Sequence, residues 1–190
     1  TVRNCSIKNS FRAIHLGVGN WTHYSTGSIE NNTIIGVISD AITAFSESEV
    51  SGISIRNNYI ADWGTPSTVD YGVWHRDFED ESVKRQNRFA AIKIAANAIT
   101  VEGNTLVDNM RCVPLWSADK TTIGDFSEFA PTQGIYISDD ISKEPGGVGW
   151  RNSGLWGIKI LNNSMVRTKL GGAFIYSSQN ALIDCSFNGN

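Results

Sequence analysis

The chain has few cysteines, no run of basic residues and no long apolar segment, and each of these absences excludes a class of protein. It has 190 residues, a formal net charge of −3 at pH 7, 18% charged residues and 41% hydrophobic residues. Without a block of Lys and Arg, it lacks the electrostatic footprint of a general nucleic-acid-binding protein. No apolar run approaches the roughly 20 residues of a transmembrane helix, so we expect no membrane span. The length allows one domain with a hydrophobic core.

The chain does contain a repeated phrase, in which two apolar residues flank a polar one and an asparagine follows at a turn. Its copies occupy residues 27–32, 53–58, 99–104 and 158–163. Alternation with a period of two predicts short strands, and the recurring asparagine predicts a corner that repeats in register. We place degenerate copies at 2–7 and 182–187, with Cys5 and Cys185 in the asparagine column. Because the chain begins and ends inside a repeat, we expect a segment or mature domain of a longer protein.

A second strand precedes each asparagine phrase, and the two strands together make one coil. The copies of this first strand occupy residues 13–16, 41–44, 91–94, 134–137 and 173–176. Successive asparagines are 26 residues apart at the short step and 46 and 59 residues apart at the two long steps. The long steps therefore contain insertions, which we place at residues 61–88, 107–132 and 138–156.

The three cysteines do not make a disulfide framework. At about 4.8 Å per strand, five coil steps would separate Cys5 from Cys185 by about 24 Å. A disulfide needs Cα atoms within about 7 Å, so we expect both thiols to stay free. Cys112 falls in an insertion and is expected to be a free thiol as well.

The pattern Ile-x-Ile-x-Asn-Asn-x-Ile at residues 53–60 resembles the repeat of right-handed parallel β-helix proteins, the pectate-lyase-like superfamily. The resemblance covers nearly the whole chain. It implies an all-β solenoid, one domain over residues 1–190 with about five to six coils, three loop insertions and a ladder of hydrogen-bonded asparagines. The superfamily contains lyases, hydrolases, epimerases, tailspikes and adhesins, so the resemblance predicts the fold and not the reaction.

We expect a ligand trough on the outward face of the first strands, with the insertions as its walls. One outward column is small and the next is mostly polar: Ala13, Ala41, Ala91, Gly134 and Ala173, then His15, Thr43, Lys93, Tyr136 and Ile175. A small column would let an extended ligand approach the backbone, but it is equally typical of a position that merely fits under the loops. Aromatic residues concentrate in the insertions and suit the apolar faces of sugar rings. Loop packing and a subunit interface are their alternative roles.

The insertion at 61–88 carries the candidate catalytic carboxylates. Glycosidic cleavage commonly needs one protonated and one ionised carboxyl group, and burial near aromatic rings separates the two pKa values. The candidates in this segment are Asp70 and Glu81 as the catalytic pair, Asp77 as a substitute partner, His75 as a further catalytic group, and Arg76 and Trp74 as substrate-binding residues. A solvated loop face is the alternative interpretation of such a mixed charge run.

A second group of candidates lies at the predicted trough. We expect Asp40, Lys93, Tyr136, Asp139 and Trp116 to bind substrate. Lys93 with Tyr136 would also suit proton abstraction in a polyuronate lyase, which uses a basic residue and a cation that neutralises the uronate carboxylate. Ca²⁺ needs six to eight oxygen ligands, and no spaced ligand loop occurs, so we expect no metal and no cofactor.

These candidates predict a carbohydrate-active enzyme that cleaves glycosidic bonds of an extended polysaccharide or oligosaccharide. Within the superfamily, the trimeric inulin fructotransferases are similar in their aromatic loops and in an Asp/Glu pair such as Asp70 and Glu81. That likeness implies intramolecular fructosyl transfer, a homo-oligomer of three subunits and an extracellular, secreted bacterial protein. The alternatives are a polyuronate lyase using Lys93 and Tyr136 and a non-catalytic, glycan-binding tailspike or adhesin.

Overall fold

A computed structural model describes residues 1–16, 27–37, 40–45, 52–63, 89–108, 132–138, 155–166, 171–176 and 182–190. All regular secondary structure in these ranges is β-strand. The strands are β1 (Val2–Arg3), β2 (Ser6–Lys8), β3 (Ile14–Leu16), β4 (Gly27–Glu30), β5 (Thr33–Val37), β6 (Ile42–Phe45), β7 (Ile53–Arg56), β8 (Tyr59–Trp63), β9 (Phe89–Ala95), β10 (Ile99–Glu102), β11 (Thr105–Val107), β12 (Thr132–Ser138), β13 (Leu155–Trp156), β14 (Lys159–Leu161), β15 (Ser164–Val166), β16 (Gly171–Tyr176), β17 (Leu182–Ile183) and β18 (Ser186–Asn188).

The strands form three stacked parallel sheets. The first sheet has the order β1-β4-β7-β10-β14-β18, the second β15-β11-β8-β5-β2 and the third β16-β12-β9-β6-β3, while β13 pairs only with β17. The chain visits the first, second and third sheets in turn and then returns to the first, an arrangement compatible with a parallel β-helix. The sequence analysis predicted two strands per coil and missed the second sheet. Its strands are three to five residues long, and the buried residues of the two five-residue strands do not alternate strictly with exposed ones, so a pattern with a period of two does not reveal them.

Columns of aliphatic side chains from all three sheets form one hydrophobic core. Ile29, Ile55, Val101 and Ile160 pair in register on the first sheet, and each is 1% exposed or less. The second and third sheets contribute equivalent columns that include Ile34, Ile60 and Leu106, and Ile42, Ile92 and Ile135. Stacked β-branched residues fit pleated strands well, because their restricted side chains pack against the same residue one strand away.

A ladder of asparagine side chains holds the corner between the first and second sheets, as the sequence predicted. In each step the backbone N–H and the Nδ2 of one asparagine donate to Oδ1 of the next, at 3.0–3.1 Å and 2.9 Å respectively. The members are Asn32, Asn58, Asn104, Asn163 and Asn190. Each Nδ2 also donates to a main-chain carbonyl, for example that of Ile55 from Asn104 at 2.9 Å. The ladder thus satisfies polar groups that would otherwise be buried without partners.

Cys5 occupies the first position of the ladder, and its backbone N–H donates to Oδ1 of Asn32 at 3.0 Å. This hydrogen bond uses only the backbone of Cys5, so it does not depend on the cysteine side chain. The assignment of Cys185 to the same column is wrong, because the ladder passes from Asn163 to Asn190 and β17 pairs with β13 instead. The copy at 182–187 resembled the asparagine phrase only in its alternation. Cys5 and Cys185 are not joined in a disulfide, as expected, and Cys112 lies outside the described residues.

The residue before each ladder position has a left-handed backbone. These residues are Asn4, Asn31, Asn57, Gly103, Asn162 and Gly189, with φ between 53° and 67°. Asparagine and glycine tolerate this conformation better than other residues. At Gly103 a Cβ atom would also lie 2.5 Å from Oδ1 of Asn57. The doubled asparagine of the phrase therefore has two separate functions, a left-handed turn followed by a ladder hydrogen bond.

We expect Asn104→Ala to destabilise the fold by about 3 kcal/mol, because it leaves the buried N–H of Asn58 and the carbonyl of Ile55 without their partners. Asn57→Gly is the matched control, since it keeps the left-handed turn and is expected to change stability by less than about 0.5 kcal/mol. Urea unfolding of both variants measures the difference. Equal stabilities would show that the ladder does not hold the corner.

Candidate functional site

The third sheet bends at one residue of each central strand, and the bend decides which side chains face outward. Gln133 pairs with Ala90 and Ile135 pairs with Ile92, but the residues between them do not pair. Ala91 and Ile92 both belong to the hydrophobic core. Because two consecutive side chains face inward there, the alternation of inward and outward side chains shifts by one residue at the bend. The side chains on either side of this inward pair therefore face outward.

The central members of the small column lie inside the protein, so the prediction that they form an outward floor for a ligand is wrong. Ala41 and Ala91 are fully buried in the core cluster. A Cβ atom at Gly134 would lie 2.8 Å from Sδ of Met165, on the second sheet, and 2.5 Å from the carbonyl oxygen of Gly172. Small residues are required here because the second and third sheets approach closely.

The polar column is confirmed for its first four members. His15 pairs with Thr43, Thr43 with Lys93, and Lys93 with Tyr136. Nδ1 of His15 is hydrogen-bonded to Oγ1 of Thr43. The predicted fifth member, Ile175, is wrong, because Tyr136 pairs with Phe174 and Ile175 packs against the core. The sequence analysis had the register of β16 wrong by one residue.

Lys93 lies between a carboxylate and an aromatic ring. Its Nζ is 3.9 Å from Oδ2 of Asp40, and both side chains are 5% exposed. The same Nζ is 5.3 Å from the centroid of the Tyr136 ring, within the range of a cation–π interaction. A charge-assisted hydrogen bond would be about 2.8 Å long, so Asp40 and Lys93 form an ion pair without a direct hydrogen bond. The structure thus brings together three of the predicted substrate-binding residues.

Asp40 is held in place by the neighbouring strand. Its Oδ1 accepts a hydrogen bond from the backbone N–H of Ala90 at 2.8 Å. The other oxygen, Oδ2, is thereby directed towards Lys93, which follows Ala90 by three residues across the bend. The Asp40 carboxylate therefore binds the backbone of β9 through Oδ1 and faces the buried ammonium group of Lys93 through Oδ2.

Gln133 is a fourth member of the site, and the sequence analysis missed it. It pairs with Ala90, the residue that Asp40 binds, and precedes Tyr136 by the three residues that span the bend. Its side chain is buried, at 3% exposed, and no donor among the described residues reaches its Oε1. The sequence did contain a signal for Gln133. It precedes Tyr136 of the polar column by three residues, as Asp40 precedes Thr43 of the same column.

The outward face is not an open trough at this site. Thr43, Lys93 and Tyr136 are only 0%, 4% and 8% exposed. Charged and polar groups here are therefore largely desolvated, which strengthens electrostatic interactions between them and with any group that enters. We refer to Asp40, Lys93, Gln133 and Tyr136 together as the third-sheet site.

The remaining predicted site residues lie outside the described residues. They are Asp70, Trp74, His75, Arg76, Asp77, Glu81, Trp116 and Asp139. The strands do fix where the first of these segments is attached. Residues 64–88 connect the end of β8 at Trp63 to the start of β9 at Phe89, four residues before Lys93.

Within the described ranges, no group of three or more His, Cys, Asp or Glu side chains is arranged to hold a metal ion. The same part of the chain contains no helix long and apolar enough to cross a membrane. Comparison of the chain with protein-family models, with curated proteins and with solved structures found no match.

We expect Asp40→Asn to destabilise the protein by about 2 kcal/mol or more, because it removes a negative charge 3.9 Å from a buried cation while preserving an acceptor for the Ala90 N–H. The exposed ion pair of Arg56 and Glu102, in which Nε lies 3.2 Å from Oε2, provides the control. Glu102→Gln is expected to cost less than about 1 kcal/mol, as is typical of a surface ion pair.

Urea unfolding of both variants and of the double variant Asp40→Asn/Lys93→Met measures this difference. The double variant should recover part of the loss, since it removes both charges. If Asp40→Asn is no more costly than Glu102→Gln, the buried pair has no electrostatic role.

Proposed function

We propose that the chain is a carbohydrate-active enzyme of the right-handed, pectate-lyase-like β-helix class, which cleaves glycosidic bonds of an extended polysaccharide. The observation that supports this is the third-sheet site, where Asp40, just before β6, meets Lys93 of β9 and Tyr136 of β12 on the outward face. Desolvated charged groups that meet in this way are more frequent at functional sites than elsewhere.

A glycan suits the geometry of the face. Neighbouring strands of a sheet are about 4.8 Å apart, so one column presents side chains at regular intervals along a line, as an extended polymer requires. Carboxylate, ammonium and amide groups bind hydroxyls, and an aromatic ring such as that of Tyr136 offers an apolar surface to a sugar. Both kinds of group occur together here.

In this proposal Asp70 and Glu81 catalyse the cleavage of the glycosidic bond. One carboxyl group protonates the leaving oxygen, and the other acts as base or nucleophile. Asp77 is the alternative carboxylate for this pair. His75 is a further catalytic group, and Arg76 and Trp74 bind substrate. The segment that carries these residues connects to β9 near Lys93. In the fructotransferase form of the proposal, a substrate hydroxyl attacks the anomeric carbon intramolecularly and its proton leaves with the displaced oxygen, so no water is consumed.

We expect Asp70→Asn and Glu81→Gln each to lower turnover by about 100-fold or more with the fold intact, since positioned acid–base groups contribute about 10²–10⁴-fold. Glu30→Gln on the first sheet is the matched control and should retain full activity. Turnover is measured with circular dichroism as the check on folding. Normal activity in both site variants would rule out this catalytic assignment.

A second candidate, a polyuronate lyase, is favoured by the adjacency of Lys93 and Tyr136 in one outward column. A panel of neutral and acidic polysaccharides separates the candidates by product. New reducing ends indicate a hydrolase, unsaturated products a lyase, and cyclic disaccharides a fructotransferase; we expect saturated products. Binding without any product would instead indicate a non-catalytic tailspike or adhesin module.

The proposal also includes secretion and assembly into a homotrimer, both of which the resemblance implies. Size-exclusion chromatography with light scattering measures the assembly state directly.

A further inference from the structure

We propose that the third-sheet site is a subsite for an uncharged sugar residue and that it discriminates against uronic acids. The inference rests on the proposed function in one respect, namely that the ligand of this chain is a glycan. It goes beyond that function by naming the charge class of the sugar and by assigning Gln133 as a binding residue.

The first argument is the charge of the site. A uronate carboxylate is bound by a cation, and Lys93 is the cation among the four residues that define the third-sheet site. Oδ2 of Asp40 is 3.9 Å from its Nζ, and both side chains are 5% exposed. A second carboxylate that approached Lys93 would therefore also approach Asp40 in a poorly screened environment, and the repulsion would offset the attraction. A neutral hydroxyl meets no such penalty and can donate to Asp40.

The second argument is the hydrogen-bonding state of Gln133. Its side chain is 3% exposed, and its Oε1 receives no donor from the described part of the chain. A buried acceptor without a partner is unfavourable, so a group that supplies an O–H or N–H is favoured there. Sugar hydroxyls are such donors, so a sugar residue that places a hydroxyl here would satisfy Oε1, and the discrimination against uronic acids depends on the charge argument alone.

The third argument places Gln133 on the same face as the ion pair. Ile135 belongs to the core, and the Cβ direction of Gly134 points towards Met165, which packs on that core. Gln133 and Tyr136, on either side of these two residues, therefore leave on the outward face. Gln133 is also in register with Ala90, whose N–H holds Asp40. The acceptor and the ion pair thus border the same region.

Isothermal titration with short oligosaccharides tests the subsite without relying on cleavage. The probes are neutral fructo-, xylo- and cello-oligosaccharides and, as the acidic set, oligogalacturonates of equal length. We expect the wild-type protein to bind at least one neutral series and to bind the uronates at least 10-fold more weakly. Tighter binding of the uronates, or no binding of any neutral series, would overturn the inference.

Gln133→Met separates a ligand-binding role from a structural one. Methionine has a similar volume and removes the acceptor, so we expect affinity for the neutral sugar to fall about 5- to 10-fold, the value of one neutral hydrogen bond. The midpoint of urea unfolding should stay constant or rise, because an unpaired buried group is lost. Ser54→Ala on the outward face of the first sheet is the control and should change neither quantity. A lower unfolding midpoint with unchanged affinity would mean that Gln133 binds only a structural water, and the inference would fail.

Asp40→Asn tests the charge argument with a gain of function. Asparagine keeps an acceptor for the Ala90 N–H but leaves Lys93 without this neighbouring negative charge. We expect affinity for oligogalacturonates to rise at least 10-fold while affinity for the neutral series changes much less. Unchanged selectivity in a folded Asp40→Asn protein would overturn the charge argument.

The outcomes distinguish this inference from the proposed cleavage activity. Neutral sugars that bind through Gln133 but give no product would refute cleavage and support the subsite. Conversely, an active enzyme whose KM and affinity do not respond to Gln133→Met would support cleavage and refute the subsite.

Discussion

The hydrogen bond from each ladder asparagine to the next is the constraint on which the rest of the structure depends. Oδ1 of one asparagine accepts from both the backbone N–H and Nδ2 of its neighbour, so the corner is fixed in position and in rotation. A slip of one residue would turn every inward side chain of the adjoining strands outward. The ladder makes the same connection between Asn32 and Asn58, 26 residues apart, and between Asn104 and Asn163, 59 residues apart. Segments of very different length can therefore be inserted without changing the register of the strands.

The register set by the ladder is what assembles the third-sheet site. Asp40 and Ala90 are 50 residues apart in sequence, and they meet only because their strands occupy neighbouring positions in the stack. Lys93 and Tyr136 are brought together in the same way. No short sequence motif predicts the site, because each strand and its flanking residues contribute only one or two of its polar side chains. The polar groups of the outward face become neighbours only when the coils stack. In the sequence they appear as residues at equivalent positions of successive coils.

The parts that sequence reasoning predicted are those whose signal repeats between neighbouring coils. The ladder positions from Asn32 to Asn163 and the column from His15 to Tyr136 both recur at equivalent points, so alignment of the copies found them. The bend of the third sheet leaves no such signal, because alternation was assumed to continue through Ala91 and Gly134. That single assumption placed the small column on the wrong face and hid Gln133. The last copy was misplaced because Cys185 lies within an alternation of apolar and polar residues from Ile183 to Phe187 that resembles the asparagine phrase, while the true ladder residue is Asn190.

The energetics of the third-sheet site support a functional rather than a structural reason for its residues. A buried ion pair is often no more stabilising than apolar side chains of the same volume, because both charges must be desolvated. Asp40 and Lys93 are therefore a poor choice if packing were their only role, and the buried Oε1 of Gln133 adds a further unfavourable group beside them. Most of the described chain follows local rules, with isoleucine columns inside and satisfied asparagines at the corner, although the buried Oγ of Ser10 and Nε1 of Trp63 also lack partners among the described residues. Departures from those rules are expected where a ligand supplies the missing interactions. At the third-sheet site an unpartnered acceptor occurs together with a buried ion pair, and this combination supports the proposed sugar-binding role more than a single unpartnered group would.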